Sequence, residues 1–402
     1  MASGWFYSPA QIKRYCASRI SSLKPPETKL RNPYHIIREL NRQQWLFFSA
    51  GFFSWTWAGV DFFVVSLCVT EIAQAFQVND SDVSWAITVT LMLRPAGAFI
   101  SGVCADRYGR KWPTIVNLVL FVVLELAGGF AINMRQFLAI RAFYGIAMGG
   151  IFGSAAATAL EDLPYEARGI MSGLFQQGYA LGYLISATLY SAFVPTTPHG
   201  WRSLFWASAG PPVVLIIFRW YLAETNHFIA MKAEQEAMAS AESSTEEFNK
   251  GSHSGLRTFF ALRGLMVGFT YQLGNMVSSA SATIQSVLGE KFPLPDSETG
   301  EKRFDYGKVF VIFMAVTWAY MCLGMLLGPE ISQEERDDEA QAAMQLYQLQ
   351  RQGLNPEEVG QVRARLRKAE EGHSQGVKSG EIGKTGYTTT KQVAGSITEK
   401  TI

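Results

Sequence analysis

Apolar residues in this chain come in unbroken runs of about twenty, not in the one-sided stripe of a soluble surface helix. Such runs lie near 46–69, 83–104, 113–132, 136–160, 169–193 and 202–222, with two more near 262–286 and 307–327. A helix needs about 20 apolar residues to cross the hydrocarbon core, so each run predicts a membrane-spanning helix. The pattern therefore predicts an all-α polytopic membrane protein with eight spans. The polar stretches divide it into a basic arm (1–44), a six-helix unit (45–222), a linker rich in Glu, Ala and Ser (223–261), a two-helix unit (262–328) and a polar tail (329–402). The linker predicts a helix around 229–242. In the tail, 335–371 reads as a charged surface helix broken near Gly353 to Pro356, and the last thirty residues read as disordered.

Charge adds orientation. The arm carries Lys13, Arg14, Arg19, Lys24, Lys29, Arg31, Arg38 and Arg42, and the turn at 105–112 is also basic, while the turn with Glu71, Asp80 and Asp82 is acidic. Lys and Arg favour the cytoplasmic side of short loops, so the arm and the basic turn are expected inside, and an even span count puts both termini there. The first span is expected to serve as its own insertion signal. The formal net charge of +1 gives no field for nucleic acid. Cys68, Cys104 and Cys322 sit in or beside apolar runs with neither disulfide nor metal spacing. No nucleophile–base or metal constellation appears, so neither an enzyme nor a cofactor is expected; the environment is the lipid bilayer.

Charges inside apolar runs are the candidates for chemistry. At a helix centre each costs about 2.5–3.5 kcal/mol on insertion scales, so it faces a watery cavity or a partner. Arg94 lies mid-run, and its planar fork suits a carboxylate held by two parallel hydrogen bonds. The competing reading is a structural pair with Asp61 or Glu125. Burial favours the neutral form of a carboxyl, so Asp61 and Glu125 are candidate proton carriers; the alternative for both is a buried helix-to-helix hydrogen bond. Gln272 and Asn275 share one helix face, and their amides suit either a carboxylate or interhelical packing. Gly145, Gly149 and Gly153 form a ridge expected to pack against a neighbouring helix, and Glu161 at its end is expected to form an interfacial salt bridge.

An internal repeat links two runs. Arg168-Gly-Ile-Met-Ser-Gly173-Leu-Phe-Gln-Gln177 and Arg263-Gly-Leu-Met-Val-Gly268-Phe-Thr-Tyr-Gln272 both read Arg-Gly-x-Met-x-Gly-x-x-x-Gln. The seventh span thus corresponds to the fifth, and Gln176 and Gln177 stand where Tyr271 and Gln272 do.

The turn Gly102-Val-Cys-Ala-Asp106-Arg107-Tyr-Gly109-Arg110-Lys111 resembles the loop between the second and third spans of the major facilitator superfamily. Leu93-Arg94-Pro95-Ala-Gly97, Arg141-Ala-Phe-Tyr-Gly-Ile-Ala-Met-Gly-Gly150, Ala159-Leu-Glu161-Asp-Leu-Pro164 and Tyr271-Gln272-Leu-Gly-Asn275 are similar to the fungal Jen-type carboxylate:proton symporters. The resemblance implies twelve spans in two halves. With the repeat, it makes 45–222 a complete first half and 262–328 a remnant of the second, lacking that half's first four spans. The string Asn-x-x-Ser/Thr-His-x-Ser/Thr-Gln-Asp expected there does not occur. The implied activity is uptake of short mono- or dicarboxylates such as lactate with a proton, at the plasma membrane, with Arg94, Gln272 and Asn275 recognising substrate. Gly102, Asp106, Arg107, Gly109, Arg110 and Lys111 are implied to gate, Asp106 meeting the start of the helix at Arg263. Two alternatives stand beside it. One is a transport-incompetent product acting by association with itself or a full-length relative. The other is a different substrate, a sugar or sialate, against which stand a single deep arginine and few aromatic–polar clusters.

Overall fold

A computed structural model describes residues 32–243, 263–279, 292–294, 303–304, 306–327 and 355–365. The backbone forms two units, Met1–Leu40 and Asn41–Ile402. The first contains α1 (Pro33–Arg38), opened by a proline at its first turn and by Asn32, whose side chain accepts from the Tyr34 N–H at 3.0 Å.

The second unit holds α2 (Arg42–Leu67), α3 (Val69–Phe76), α4 (Asp80–Tyr108), α5 (Lys111–Gly129), α6 (Met134–Leu160), α7 (Tyr165–Phe193), α8 (Trp201–Ser208), α9 (Gly210–Tyr221), α10 (Asn226–Ser243), α11 (Arg263–Ser279) and α12 (Tyr306–Leu327). A two-residue antiparallel ladder, Pro293–Leu294 with Arg303–Phe304, precedes α12, and a short helix follows at 356–365. The expected run at 202–222 is two helices. Pro211 and Pro212 lack the N–H that would carry a helix on, so α9 restarts at Gly210 with prolines in its first turn. Counting α8 and α9 as one crossing, six stretches are long and apolar enough to span a membrane among the described residues, and the expected run at 262–286 lies partly outside them. α7 has 29 residues but is too polar, and α11 has 17 described residues.

Glycines set the closest contacts. A Cβ on Gly97 would overlap the carbonyl oxygen of Ile146, and one on Gly145 or Gly149 would overlap those of Thr90 or Arg94. The glycine ridge of α6 therefore lies directly on the backbone of α4, as small residues allow in a medium where apolar burial against lipid drives nothing. α11 lies against α4 and α6, and α2 packs against α6 and α7. At one end of the bundle an apolar core joins Val64, Cys68, Ile72, Phe137, Trp201 and Phe205. At the other end lies the basic turn, with α10 beside it. The short helix at 356–365 rests on α10: a Cβ on Gly360 would overlap the Ala230 carbonyl oxygen, and Val359 and Ala230 are fully buried.

Candidate functional site at the bundle centre and rim

Four arginines are buried among the described residues, where one deep arginine was expected: Arg94, Arg141 and Arg219 are each 1% exposed and Arg110 is 2% exposed. Arg141 ends the expectation that Glu125 pairs with Arg94. Its Nη2 sits 3.1 Å from Glu125 Oε2, its guanidinium faces the rings of Phe137, Tyr144 and Phe205 at 4.7–5.4 Å, and Ser208 donates to the other Glu125 oxygen at 3.3 Å. Glu125 is thus a member of a buried pair. The signal was present in the sequence: an arginine inside the run at 136–160, with an acid of opposite charge inside the run before it. Asp61 is not paired with Arg94 either. It accepts from the Tyr144 hydroxyl at 3.1 Å, and its second oxygen has no hydrogen-bond partner.

Arg94 is held differently. Its guanidinium stands 4.7 Å above the Phe62 ring and donates to Met148 Sδ at 2.7 Å, while its Nε has no hydrogen-bond partner. The Tyr179 hydroxyl reaches it, and Tyr179 stacks on Trp55 with centroids 5.2 Å apart. Trp55 in turn meets Phe152, Phe175 and Tyr271, and Tyr271 lies flat on Phe152 at 3.9 Å. The expectation of few aromatic–polar clusters is therefore corrected. Ring residues spaced through four distant runs converge only once α2, α6, α7 and α11 are packed together.

The structure brings Gln272 and Asn275 to this cluster. Gln272 is fully buried, accepts from Asn275 Nδ2 at 3.0 Å, and has an Nε2 group without a hydrogen-bond partner. Asn275 and Gln176 both hydrogen-bond with the Tyr271 hydroxyl. Gln177 is exposed on another face of α7, away from the cluster.

At the rim, the turn residues form a charge network. Arg110 binds Asp106 at 2.5 Å and Glu161 at 3.0 Å, which bears out the salt bridge expected of Glu161. Burial lowers the Arg110 pKa, but Glu161 and Asp106 together outweigh it and hold the guanidinium above its usual value. Gly109 has φ +100°, and a Cβ there would overlap the Glu224 carboxylate, so conformation and space both demand glycine. That carboxylate accepts from the Lys111 N–H at 3.1 Å, and Lys111 Nζ donates to the Trp220 carbonyl at 2.7 Å. Arg107 is exposed beside Tyr108, and Gly102 faces α11 near Gly268. Asp162 caps α10, accepting from Asn226 and His227 N–H at 2.9 and 2.8 Å. Burial pushes the Asp162 carboxyl above its ordinary range despite those two donors, and burial holds His227 below its own, with Glu161 opposing.

Long apolar helices enclosing unpaired charge and orphaned amides define a multi-pass membrane protein of the transporter class. The model of the sugar (and other) transporter family matches residues 45–256. The chain belongs to that family, within the major facilitator superfamily, and so among transporters rather than enzymes. It is 38% identical over 238 residues to a carboxylic acid transporter protein homolog of Saccharomyces cerevisiae, covering 58% of this chain and 39% of that one. It is 23% identical over 280 residues to the cis,cis-muconate transport protein of Acinetobacter baylyi, covering 67% of this chain and 62% of that one. A partially occluded, inward-open structure of the xylose transporter XylE from E. coli aligns at 15% identity and TM-score 0.45, covering 62% of this chain and 60% of that one. The chain thus spans less than two thirds of the length of each of these relatives.

Proposed function

We propose that this chain derives from a proton-coupled carboxylate transporter, with 45–222 as its first half and 262–328 as part of its second. The observation that carries this reading is Arg94, a 1%-exposed cation with no carboxylate in ion-pair reach among the described residues and an orphaned Nε. A buried fork held by rings and a thioether keeps its hydrogen bonds available for an anion. Gln272, Asn275 and Gln176 supply amides beside it, whereas Gln177 lies on another face of α7 and does not join them. The yeast and bacterial relatives named as acid transporters support a carboxylate as the ligand. Asp61, with one free oxygen, is the better proton carrier; Glu125 already shares its charge with Arg141. The rim network of Asp106, Arg110, Glu161 and Glu224 serves as a latch on one side of the membrane. The bilayer is the plasma membrane, with both termini cytoplasmic.

Uptake of labelled lactate and succinate, measured at pH 5 and pH 7 in a host without its own permeases, tests the reading. Acid-stimulated uptake lost in Arg94→Gln supports it. Uptake absent from this chain but restored when four spans are inserted in the linker assigns the activity to the longer parent only. Uptake that Arg94→Gln leaves unchanged overturns it. A second reading, a neutral sugar, draws on the ring cluster of Trp55, Phe152, Tyr179 and Tyr271; xylose competing against labelled lactate would favour it.

A further inference from the structure

The two copies of the repeat meet opposite fates in the fold. Counted from the shared arginine, Gly173, Gln177, Leu181 and Leu184 of α7 correspond to Gly268, Gln272, Met276 and Ser279 of α11. In α11 this ridge is the packed face. A Cβ on Gly268 would stand 3.2 Å from the Gly153 Cα, Gln272 is fully buried and Ser279 is 7% exposed, all against α4 and α6. In α7 the same ridge is bare. A Cβ on Gly169 or Gly173 would meet nothing within 4 Å, Gln177 is exposed, and Leu181 and Leu184 are 37% and 61% exposed.

Lipid is a poor cover for that ridge. Two glycines leave a groove beside it, and an amide side chain facing hydrocarbon loses its hydrogen bonds to water. α7 is also the long helix of the unit whose composition is too polar to count as a candidate span. What such a ridge fits is visible in the same molecule: α11 lays it on the α4–α6 surface, glycine against glycine. Every copy of the chain owns one α4–α6 surface.

We infer that the bare ridge of α7 is an interface for a second copy of this chain, seated on the partner's α4–α6 surface where that copy's α11 otherwise lies. Two copies related by a two-fold axis along the membrane normal make this contact twice, so the interface is closed. The pair then presents two six-helix units face to face. α11 and the partner's α7 compete for one seat, because they carry one sequence pattern. The inference stands whether or not the chain transports.

Cysteine pairs test it in membranes, in a background with the native cysteines replaced by serine. Two differently tagged copies are co-expressed, one with Gly173→Cys and the other with Gly153→Cys, and oxidised. The expected result is a disulfide-linked pair carrying both tags, lost on reduction and lost when Cys is placed at position 187 instead of 173. Gly268→Cys with Gly153→Cys in a single copy reports that α11 is folded onto its own seat. That intrachain bond is expected to fall in proportion as co-expressed partner is increased. Intrachain bonding that stays complete while no two-tag product forms overturns the inference. So does capture of Gly173→Cys only by a larger host protein, which would give the ridge to a longer relative.

Discussion

Arg94 and Arg141, both buried in the bundle, are predicted to differ in what they do for stability. Arg141→Met removes the cation from a pair 3.1 Å apart whose members are 1% and 0% exposed, leaving the Glu125 charge with only the Ser208 hydroxyl. Stranding one member of a buried pair costs about 3–5 kcal/mol, to which the lost ring contacts add about 1 kcal/mol. At roughly 2–4 °C per kcal/mol for a unit of this size, the apparent Tm is expected to fall by about 10 °C or more. Glu125→Gln combined with Arg141→Met removes both charges and is expected to recover most of the loss. Arg94→Met strands no carboxylate, since its neighbours are Phe62, Met148 and Tyr179, and is expected to shift Tm by less than about 3 °C. Thermal unfolding of detergent-solubilised protein, followed by tryptophan fluorescence at one scan rate, reads all three variants against the parent chain. Equal losses for Arg94→Met and Arg141→Met would refute the division of the two arginines into ligand-binding and structural.

Further expectations concern packing and the rim. Gly97→Val drives a side chain into the Ile146 carbonyl and is expected to cost about 1–3 kcal/mol or more, seen as loss of monodisperse protein on size exclusion. Asp162→Asn replaces the carboxylate that caps α10 and is expected to cost about 1 kcal/mol locally, read as faster amide exchange at 226–229. His227 has a lowered folded pKa, so its contribution is full above the unfolded value of about 6.5 and is lost as pH falls below it. Asp162, with a raised folded pKa, acts with the opposite sign and at lower pH, as its contribution is lost on ionisation. Protection at the start of α10, corrected for the intrinsic pH dependence of amide exchange, is therefore expected to fall as pH drops below about 6.5, and His227→Gln is expected to abolish that fall.

Most helices were legible because a bilayer demands one thing of a chain, a run of apolar residues of fixed length. That rule found α2, α4, α5, α6 and α12 within a few residues. It also found α7 within a few residues, although that helix trades apolar residues for Gly, Gln and Ser along the faces it presents. Proline at 211 and 212 broke a run whose hydropathy alone reads as continuous. For the site, single charges could be found but not their partners. Arg141 lay inside a quoted motif, yet its pairing with Glu125 depends on the register between α5 and α6, which hydropathy does not set. The aromatic wall around Trp55 is spread over four helices with no common spacing. The rim could be read more closely, since Gly109, Arg110 and Glu161 lie at element ends where charge and turn geometry coincide.

The helix at 356–365 lies near the end of the chain, yet it covers part of α10, more than a hundred residues earlier. During synthesis the ribosome has released α2 to α10 long before residue 360 emerges. The Ala230 surface is therefore uncovered throughout the making of α2 to α12 and closes only once residues 356–365 have emerged. A chain stopped before residue 356, even just beyond α12, carries on α10 an uncovered surface around Ala230 that the helix at 356–365 hides. The resting place of Gly360 thus reports whether residues 356–365 have been made, open to chaperones and proteases until they emerge and hidden afterwards.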